Sequence, residues 1–351
     1  MPVSIDDAWS YHGLKTIRLQ NEILALDVLP QRGGNIFRLI DKQRDLDLLW
    51  KSPRVVPHLA AIHADFDDHW AGGWDDAFPG GRASRNRYGD LLPYMGEVWT
   101  QPAGYSIDRP APDVVALTTT GTTPVTPATL TRTITLRAGQ PTFTLHYELR
   151  NVGYLPFDYN WGIHPCLAVR PTWRFDIPAT RGLVDEAGGG ILGHAGDEYA
   201  WPVIGGVDLR VAMGPDRGAF ALHYLTGLTA GWIAATDVAD RRGFGLCFDA
   251  GLFPVVWFCL VYGGWRGYYQ ALVEPWTGYP SPLDEAVRAG QARVLEPGQT
   301  QSTEVTAVIY DGVEQVTRLS PDGTVSAAAS CPSKEQRTWI TQQPSSSAAP
   351  A

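Results

Sequence analysis

The sequence contains few cysteines, and none of them form a close pair. Four cysteines are spread over 351 residues, at Cys166, Cys247, Cys259 and Cys331. Zinc centres and redox dithiols built on thiols usually contain a C-x-x-C segment, which is missing here. We therefore expect no thiol-based metal or redox site, and we expect reduced cysteines, as is usual in the cytoplasm.

Positive charge is also scarce. The chain has 28 Lys and Arg against 37 Asp and Glu, which gives a formal net charge of -9. Nucleic acids and anionic membrane surfaces attract basic faces, and this balance does not favour one. The composition therefore predicts no nucleic-acid partner and no membrane partner, and it suits an uncharged small molecule.

Long apolar runs are absent as well. The longest, at residues 251–262, is too short to cross a bilayer as a helix. The first residues also lack the basic segment and apolar run of a secretory signal peptide. We therefore expect a cytoplasmic protein. The sequence gives no indication of its oligomeric state.

No segment maintains the apolar period of an amphipathic helix over three turns, and only residues 284–289 suggest a short helical turn. Instead, β-branched and alternating segments recur between turns rich in glycine and proline. Asn21 lies in a tight hairpin between the first two of them. The predicted strands are residues 16–20, 22–29, 114–120, 130–136, 143–149, 219–225, 232–236, 244–248, 255–261, 268–273 and 304–310.

Many antiparallel strands in one unit form either stacked sheets or a propeller. A propeller would repeat about every 40–50 residues, and no such repeat occurs. The pattern therefore predicts a single all-β domain over residues 1–319, a large antiparallel sandwich whose concave face would hold a ligand. Residues 320–351 are rich in Ser, Ala, Pro and Gln, and we predict a disordered tail there.

Aromatic side chains are abundant, with 13 Trp and 14 Tyr. A tryptophan ring can stack on the apolar C–H face of a sugar while its N–H binds a polar partner. Large sandwich cores also use tryptophan, so the count alone supports two interpretations. We expect roughly a quarter of these rings to line a binding site, because pockets contain only a few convergent groups.

Two segments place titratable groups at the ends of predicted strands. His164 precedes Pro165, which restricts the backbone of both residues and fixes the imidazole. Glu274 ends an apolar strand, and the surrounding Val, Leu and Trp side chains should raise the pKa of its carboxyl group. Both groups can exchange a proton near neutral pH. The alternative is a core histidine and a glutamate in a salt bridge at a turn.

Together these segments resemble the two catalytic segments of the aldose 1-epimerase family. The resemblance lies in Asn160, His164 and Pro165, and in the run Glu-Pro-Trp-Thr-Gly at residues 274–278. Similarities at residues 28–36, 72–79 and 294–300 extend it over residues 28–310. The second of these is similar to a divergent bacterial branch of this galactose mutarotase-like superfamily.

The resemblance implies an antiparallel β-supersandwich and an isomerase that interconverts the anomers of a monosaccharide or a related sugar. Glu274 would act as the general base on the anomeric hydroxyl, and His164 as the general acid on the ring oxygen. This chemistry requires no metal and no organic cofactor. The substrate-binding residues we expect are Trp74, Asp75, Asp76, Arg82, Glu97, Trp161 and Trp276.

One position departs from the family pattern. Members often have a further active-site histidine in a His-Gly segment, and the corresponding residues here are Met95 and Gly96. A methionine side chain cannot donate a hydrogen bond or hold a charge. The departure leaves open a ring oxygen bound by one fewer donor, a different reaction, or a protein that only binds sugars.

Two other functions therefore remain open on the sequence. One is a non-catalytic carbohydrate-binding protein that keeps the concave site. The other is a glycoside hydrolase or lyase, which would place two carboxyl groups about 5–10 Å apart across one bond. Its second carboxylate, beside Glu274, would be Asp75, Asp76 or Glu97.

The acidic segment at residues 63–70 also allows competing interpretations. It contains two histidines and several carboxylates, but the spacing matches no known metal-binding loop. We expect no dedicated metal site. The segment is predicted to be either a sugar-facing loop, with Trp70 or Trp74 stacked on the ring, or an exposed acidic loop.

Three arginines follow closely after it, at Arg82, Arg85 and Arg87. Arginine donates two parallel hydrogen bonds to a carboxylate or phosphate. One of the three would bind a ring hydroxyl or an acidic substituent of the substrate. The alternative partner is a nearby carboxylate, namely Asp65, Asp67 or Asp76.

Overall fold

The computed structural model describes residues 3–328, of which most lie in β-strands. Its strands are β1 (Ser4–Tyr11), β2 (Leu14–Gln20), β3 (Leu24–Leu29), β4 (Asn35–Asp41), β5 (Leu46–Asp47), β6 (Trp74–Ala77), β7 (Ser84–Arg85), β8 (Leu91–Leu92), β9 (Gly104–Ala111), β10 (Val114–Thr122), β11 (Ala128–Arg137), β12 (Thr142–Asn151), β13 (Phe157–Tyr159), β14 (Gly162–Leu167), β15 (Trp173–Asp176), β16 (Arg181–Gly188), β17 (Glu198–Ala200), β18 (Val203–Ile204), β19 (Val207–Asp208), β20 (Ala219–Thr226), β21 (Trp232–Asp237), β22 (Arg242–Cys247), β23 (Val255–Tyr262), β24 (Tyr269–Trp276), β25 (Arg293–Leu295), β26 (Thr300–Asp311), β27 (Val316–Leu319) and β28 (Val325–Ala327).

Helices are few and short in the described residues. The two α-helices are α1 (Phe66–His69) and α2 (Leu283–Arg288), and single 3-10 turns lie at Pro30–Arg32, Val98–Thr100 and Pro215–Arg217. The predicted helical turn at residues 284–289 corresponds to α2. Helix α1 was not predicted, since four residues are too few to show a period. None of these helices is long and apolar enough to cross a membrane.

Two large antiparallel sheets make up the molecule. The first has twelve strands in the order β1-β2-β3-β4-β6-β14-β24-β23-β20-β16-β17, with β5 paired to β4. The second has eight strands in the order β15-β21-β22-β26-β12-β11-β10-β9. Four two-stranded ribbons complete the structure. The predicted all-β antiparallel sandwich with few short helices is therefore confirmed.

Asn21 shows how one side chain fixes a local turn. Its Oδ1 accepts hydrogen bonds from the backbone N–H groups of Ile23 and Leu24, at 2.8 and 2.9 Å. Its Nδ2 donates to the carbonyls of Arg137 and Gln140, at 2.7 and 2.8 Å. The amide thus closes the β2–β3 hairpin and ties it to the second sheet, which satisfies a fully buried polar group.

The main core lies between the two sheets. Because side chains alternate along a strand, each central strand of the first sheet has one face toward the second sheet and one face away from it. Ile163 of β14 and Val273 of β24 belong to the inter-sheet core. Cys166 and Leu272, on the opposite faces of the same strands, belong to a separate aromatic-rich cluster. That outer cluster surrounds the pocket described below.

The chain is ordered beyond the predicted domain end at Leu319. Strand β28 pairs with β27, and Ser320 closes the turn by donating to the carbonyl of Thr324. The tail predicted at residues 320–351 is therefore corrected for residues 320–328, which form this hairpin. The rest of that prediction lies outside the described residues.

Candidate active site

Strands β14 and β24 place His164 and Glu274 side by side. The two strands are antiparallel neighbours, with Gly162 opposite Trp276 and Cys166 opposite Leu272, so His164 lies opposite Glu274. The distance from His164 Nε2 to Glu274 Oε1 is 3.7 Å. The two side chains are only 6% and 3% exposed. Sequence reasoning therefore identified two groups that the fold brings together.

Both groups border one pocket of about 150 Å³ on the outer face of the first sheet. Its walls are mostly apolar and aromatic with a smaller number of polar groups, which is typical of small-molecule sites. Beside the pair it is lined by Phe66, Asp67, Trp70, Arg82, Tyr94, Met95, Glu186, Phe220, Leu222, Trp257, Cys259, Val261, Trp265, Gln270, Leu272 and Ser281.

Burial shifts the pKa values of the two groups in opposite directions. It raises the pKa of the Glu274 carboxyl group to about 8, and the hydrogen bond from Trp276 only partly offsets this. It lowers the pKa of the His164 imidazole to about 3. Both shifts favour the uncharged form, because charge is poorly solvated in the pocket. Near neutral pH the pair therefore holds one proton, and in the empty pocket that proton is on Glu274.

Trp276 orients the carboxyl group of Glu274. Its Nε1 donates to Glu274 Oε2 at 2.7 Å. The indole is stacked on Trp257, with ring centroids 3.7 Å apart and an interplanar angle of 11°. A Cβ atom at Gly162 would collide with this ring, so glycine is required there. Trp276, which we expected to contact substrate, lies behind Glu274 and does not line the pocket.

The imidazole of His164 is held by aromatic rings. Phe66 and Trp70 meet it edge-on, with ring centroids 5.9 and 5.5 Å away. Helix α1 places these rings, because Asp65 caps it by accepting a hydrogen bond from the Asp68 N–H. His164 Nδ1 is buried without a hydrogen-bond partner in the described residues. The aromatic rings around His164 carry no charge, so Glu274 is the acidic group that can pair with the imidazole.

Trp74 and Trp161 do not lie at the pocket, contrary to expectation. Trp74 packs between the sheets against Phe143 and Phe244 of the second sheet. Trp161 packs against Tyr147, also in the second sheet. Both rings are fully buried. Both side chains point toward the second sheet, where they fill the inter-sheet core rather than contact a ligand.

The two aspartates of β6 also bind other side chains of the protein. Asp76 faces the second sheet and forms a buried ion pair with Arg132, at 2.9 Å. Asp75 points to the outer face, but it accepts hydrogen bonds from Asn35 Nδ2 at 2.7 Å and Trp70 Nε1 at 3.1 Å. Neither carboxylate lines the pocket. Asp75 instead supports Trp70, which does.

Glu97 is likewise not a pocket residue. Its carboxylate accepts hydrogen bonds from the backbone N–H groups of Val125 and Thr126, at 2.7 and 3.0 Å. The side chain is fully buried. The nearby Met95, by contrast, does line the pocket, with a left-handed backbone φ of 58°.

The three arginines have three different partners. Arg82 lines the pocket, and its Nη2 contacts Glu186 and lies 3.2 Å from Asp185 Oδ2. Arg85 donates to the carbonyl of Gly89, and Arg87 pairs with Asp158. None of these partners is the Asp65, Asp67 or Asp76 considered above. Only Arg82 is positioned to influence a ligand.

Several pocket residues were missed by sequence reasoning. Gln270 shares the outer face of β24 with Leu272 and Glu274, and it accepts a hydrogen bond from the Cys166 thiol at 3.4 Å. Strand alternation from Glu274 could have found it. Tyr94 and Trp257 come from a turn and from a neighbouring strand, and no local pattern marks them. Within residues 3–328, no cluster of three or more His, Cys, Asp or Glu side chains is arranged for a metal ion.

Comparison with known proteins supports the fold. No family model matches the chain, and no curated protein matches its sequence. A protein of Klebsiella pneumoniae, provisionally named an aldose 1-epimerase, has a similar structure with a TM-score of 0.71, 16% identity, and coverage of 88% of this chain and 83% of that one. A galactose mutarotase-like protein of Clostridium acetobutylicum gives a TM-score of 0.65 and 12% identity, with 88% and 99% covered. The Slr1438 protein of Synechocystis gives 0.64 and 17%, with 84% and 96% covered.

Proposed function

We propose that the chain is an aldose 1-epimerase-like isomerase, which interconverts the anomers of a free sugar by opening and closing its ring. The observation that carries this proposal is the pairing of His164 and Glu274 at 3.7 Å, inside one pocket. Ring opening requires one group to take the proton of the anomeric hydroxyl and a second group to protonate the ring oxygen. An imidazole and a carboxyl group on adjacent strands can serve both needs at once.

Glu274 acts as the base and His164 as the acid in this proposal. The carboxylate of Glu274 takes the proton from the anomeric hydroxyl, while His164 Nε2–H protonates the ring oxygen and the C1–O5 bond breaks. The open-chain aldehyde rotates about the C1–C2 bond. Closure on the other face reverses both proton transfers, which returns the pair to its starting state and releases the opposite anomer.

This cycle requires only the single proton that the pair already holds. In the empty pocket the proton is on Glu274, whose pKa is raised to about 8. A bound sugar donates hydroxyl hydrogen bonds to the carboxylate, which favours its charged form and lets the proton pass to His164. Two oppositely charged partners in a poorly solvated pocket also stabilise each other. Substrate binding therefore prepares the acid and the base together.

The pocket walls support the same chemistry. Trp257, Trp70 and Phe66 are aromatic rings that can cover the apolar face of a sugar and exclude water. Trp276 holds Oε2 of Glu274, which leaves Oε1 directed toward His164. The carboxyl group is thereby oriented before substrate arrives, which reduces the cost of ordering it.

An anomer-exchange panel tests the proposal. Purified protein is mixed with equilibrated aldoses and related sugars, and exchange between the α and β anomeric signals is measured by NMR. Exchange above the buffer rate for at least one sugar is the expected result. Binding of a sugar without any enhancement would instead identify a carbohydrate-binding protein, which the methionine at position 95 also suits.

The hydrolase alternative receives less support. It would require a second carboxylate across the bond from Glu274. Asp75, Asp76 and Glu97, the partners considered for this role, bind other groups and do not line the pocket.

A further inference from the structure

The two ends of the pocket differ in charge. The inner end contains His164 and Glu274, which together are uncharged near neutral pH because they hold one proton. The mouth contains Asp67, Glu186 and Arg82, and the last two side chains are 53% and 39% exposed. A substituent that projects from a bound sugar toward solvent therefore meets the charges of the mouth.

Arg82 is already neutralised at this mouth. Its Nη2 contacts Glu186 and lies 3.2 Å from Asp185 Oδ2. Asp185 lies behind the lining and is only 13% exposed, so it remains associated with the guanidinium. Two carboxylates thus surround one arginine, and no positive charge is left over for an anionic ligand.

Asp67 adds a third carboxylate on the wall formed by helix α1. No donor among the described residues forms a hydrogen bond with this carboxylate, and the repulsion of Asp65, Asp68 and Glu186 acts on it. The nearest cation, Arg266, donates instead to Asp68 Oδ1 and to the Asp67 carbonyl, both at 2.8 Å. The carboxylate of Asp67 is therefore open to a partner that enters the pocket.

We propose that the pocket mouth selects sugars by charge, favouring those with a protonated amino group and rejecting those with a phosphate or carboxylate group. This inference rests on the proposed function in taking a sugar as the ligand. An ammonium group would be attracted by Asp67 and Glu186 and would form charge-assisted hydrogen bonds with them. A phosphate would approach two carboxylates in a partly desolvated site, and like charges placed together oppose binding.

The test compares three sugars that differ only in the group at C6: 6-amino-6-deoxyglucose in its ammonium form, glucose and glucose 6-phosphate. Binding to the full chain is followed at pH 7 by tryptophan fluorescence, since Trp70, Trp257 and Trp265 line the pocket. Asp67 is mainly ionised at that pH because its pKa is about 6. We expect 6-amino-6-deoxyglucose to bind at least about tenfold more tightly than glucose 6-phosphate, with glucose between them; tenfold corresponds to about 1.4 kcal/mol.

The double variant Asp67→Asn with Glu186→Gln should remove most of this preference, and added salt should weaken it in the unaltered protein. Asp68→Asn is the matched control, since Asp68 neighbours Asp67 but pairs with Arg266 outside the pocket lining. The inference is overturned if glucose 6-phosphate binds as tightly as 6-amino-6-deoxyglucose, or if the double variant keeps the preference.

Anomer exchange measured on the same sugars separates this inference from the proposed function. Enhanced exchange without any charge preference would overturn the inference alone. A charge preference in binding without enhanced exchange supports the inference and contradicts the isomerase. Absence of binding by all three sugars would overturn the inference, and the anomer-exchange panel then decides the proposed function separately.

Discussion

Two buried pairs each include a carboxyl group from the first sheet, and they differ in what their protons can do. Asp76 of β6 pairs with Arg132 of the second sheet at 2.9 Å, and both side chains are 2% exposed. Glu274 and His164, on the two neighbouring strands, face the pocket at 3.7 Å. Each pair contains one carboxyl group beside one nitrogen-containing group. The first pair is enclosed between the sheets, whereas the second faces the pocket.

The nature of the base decides the behaviour of each pair. Burial raises the pKa of the Asp76 carboxyl group, and the neighbouring guanidinium, which does not lose its proton in proteins, opposes this shift. Arg132 also donates to the carbonyl of Gly34, which locks it between the sheets. The imidazole of His164 has a lowered pKa and is uncharged near neutral pH, so it does not provide Glu274 with a permanent positive charge. The two groups therefore share one proton. The inter-sheet pair is therefore structural, and the pocket pair can exchange protons.

The largest effect on activity is expected from Glu274→Gln. The amide keeps the shape of the side chain but can no longer take a proton, so anomer exchange should fall about 100- to 10,000-fold. Stability should not decrease, because buried Glu274 must hold a proton to be uncharged near neutral pH, whereas the amide is uncharged without taking up a proton. NMR exchange and thermal unfolding check both parts. Retained activity would show that another group is the base.

The matching change in the inter-sheet pair should affect stability instead. Arg132→Met leaves Asp76 buried and unpaired, which should lower the free energy of unfolding by about 3–5 kcal/mol. The double variant with Asp76→Asn should recover part of this loss. Urea unfolding measures both values. A loss of activity per folded molecule, without a loss of stability, would contradict the division between the two pairs.

A smaller effect is expected at the residue that orients Glu274. Trp276→Phe keeps the stacked ring but removes the hydrogen bond to Oε2, so kcat/KM should fall about 10- to 100-fold. The pKa of Glu274 should rise further, because that bond lowers it. Trp161→Phe is the control, as Trp161 is equally buried on the inter-sheet face. Equal effects of the two changes would argue against a positioning role.

The smallest effect is expected at Met95. Met95→His would introduce a hydrogen-bond donor at the pocket wall, and histidine tolerates a φ of 58° better than most residues. We expect anomer exchange to increase by up to about tenfold, in line with one added hydrogen bond. A decrease would mean that the pocket depends on an apolar side chain here.

Sequence reasoning predicted the strands and singled out His164 and Glu274, but it did not predict which face of each strand meets the pocket. Alternation in β11 and β12 predicted strands because it is a local pattern. His164 and Glu274 were found because each stands in a distinctive segment. Trp74 and Asp76 were misplaced because their face of β6 is decided by Arg132, more than fifty residues away along the chain. A local sequence pattern does not show which residues will pair when they are far apart along the chain.

The pocket wall shows the same limit. Helix α1 is held by the Asp65 cap and carries Phe66 and Asp67 to the pocket, although its sequence was interpreted as a loop, either sugar-facing or exposed and acidic. Arg82 lines the pocket, but its partners Asp185 and Glu186 come from β16, in a different part of the chain. The sequence shows which chemical group a residue carries, but it does not show which distant residue that group will contact.

The pH dependence of kcat/KM tests most directly whether His164 and Glu274 share one catalytic proton. Below a pH of about 8 the pair keeps that proton, and above it deprotonation of Glu274 leaves two bases and no acid. Anomer exchange measured from pH 6 to 10 should therefore be level and then fall about tenfold per pH unit above 8. A rise in kcat/KM through pH 8 would show that Glu274 acts alone as a carboxylate and would contradict the shared proton.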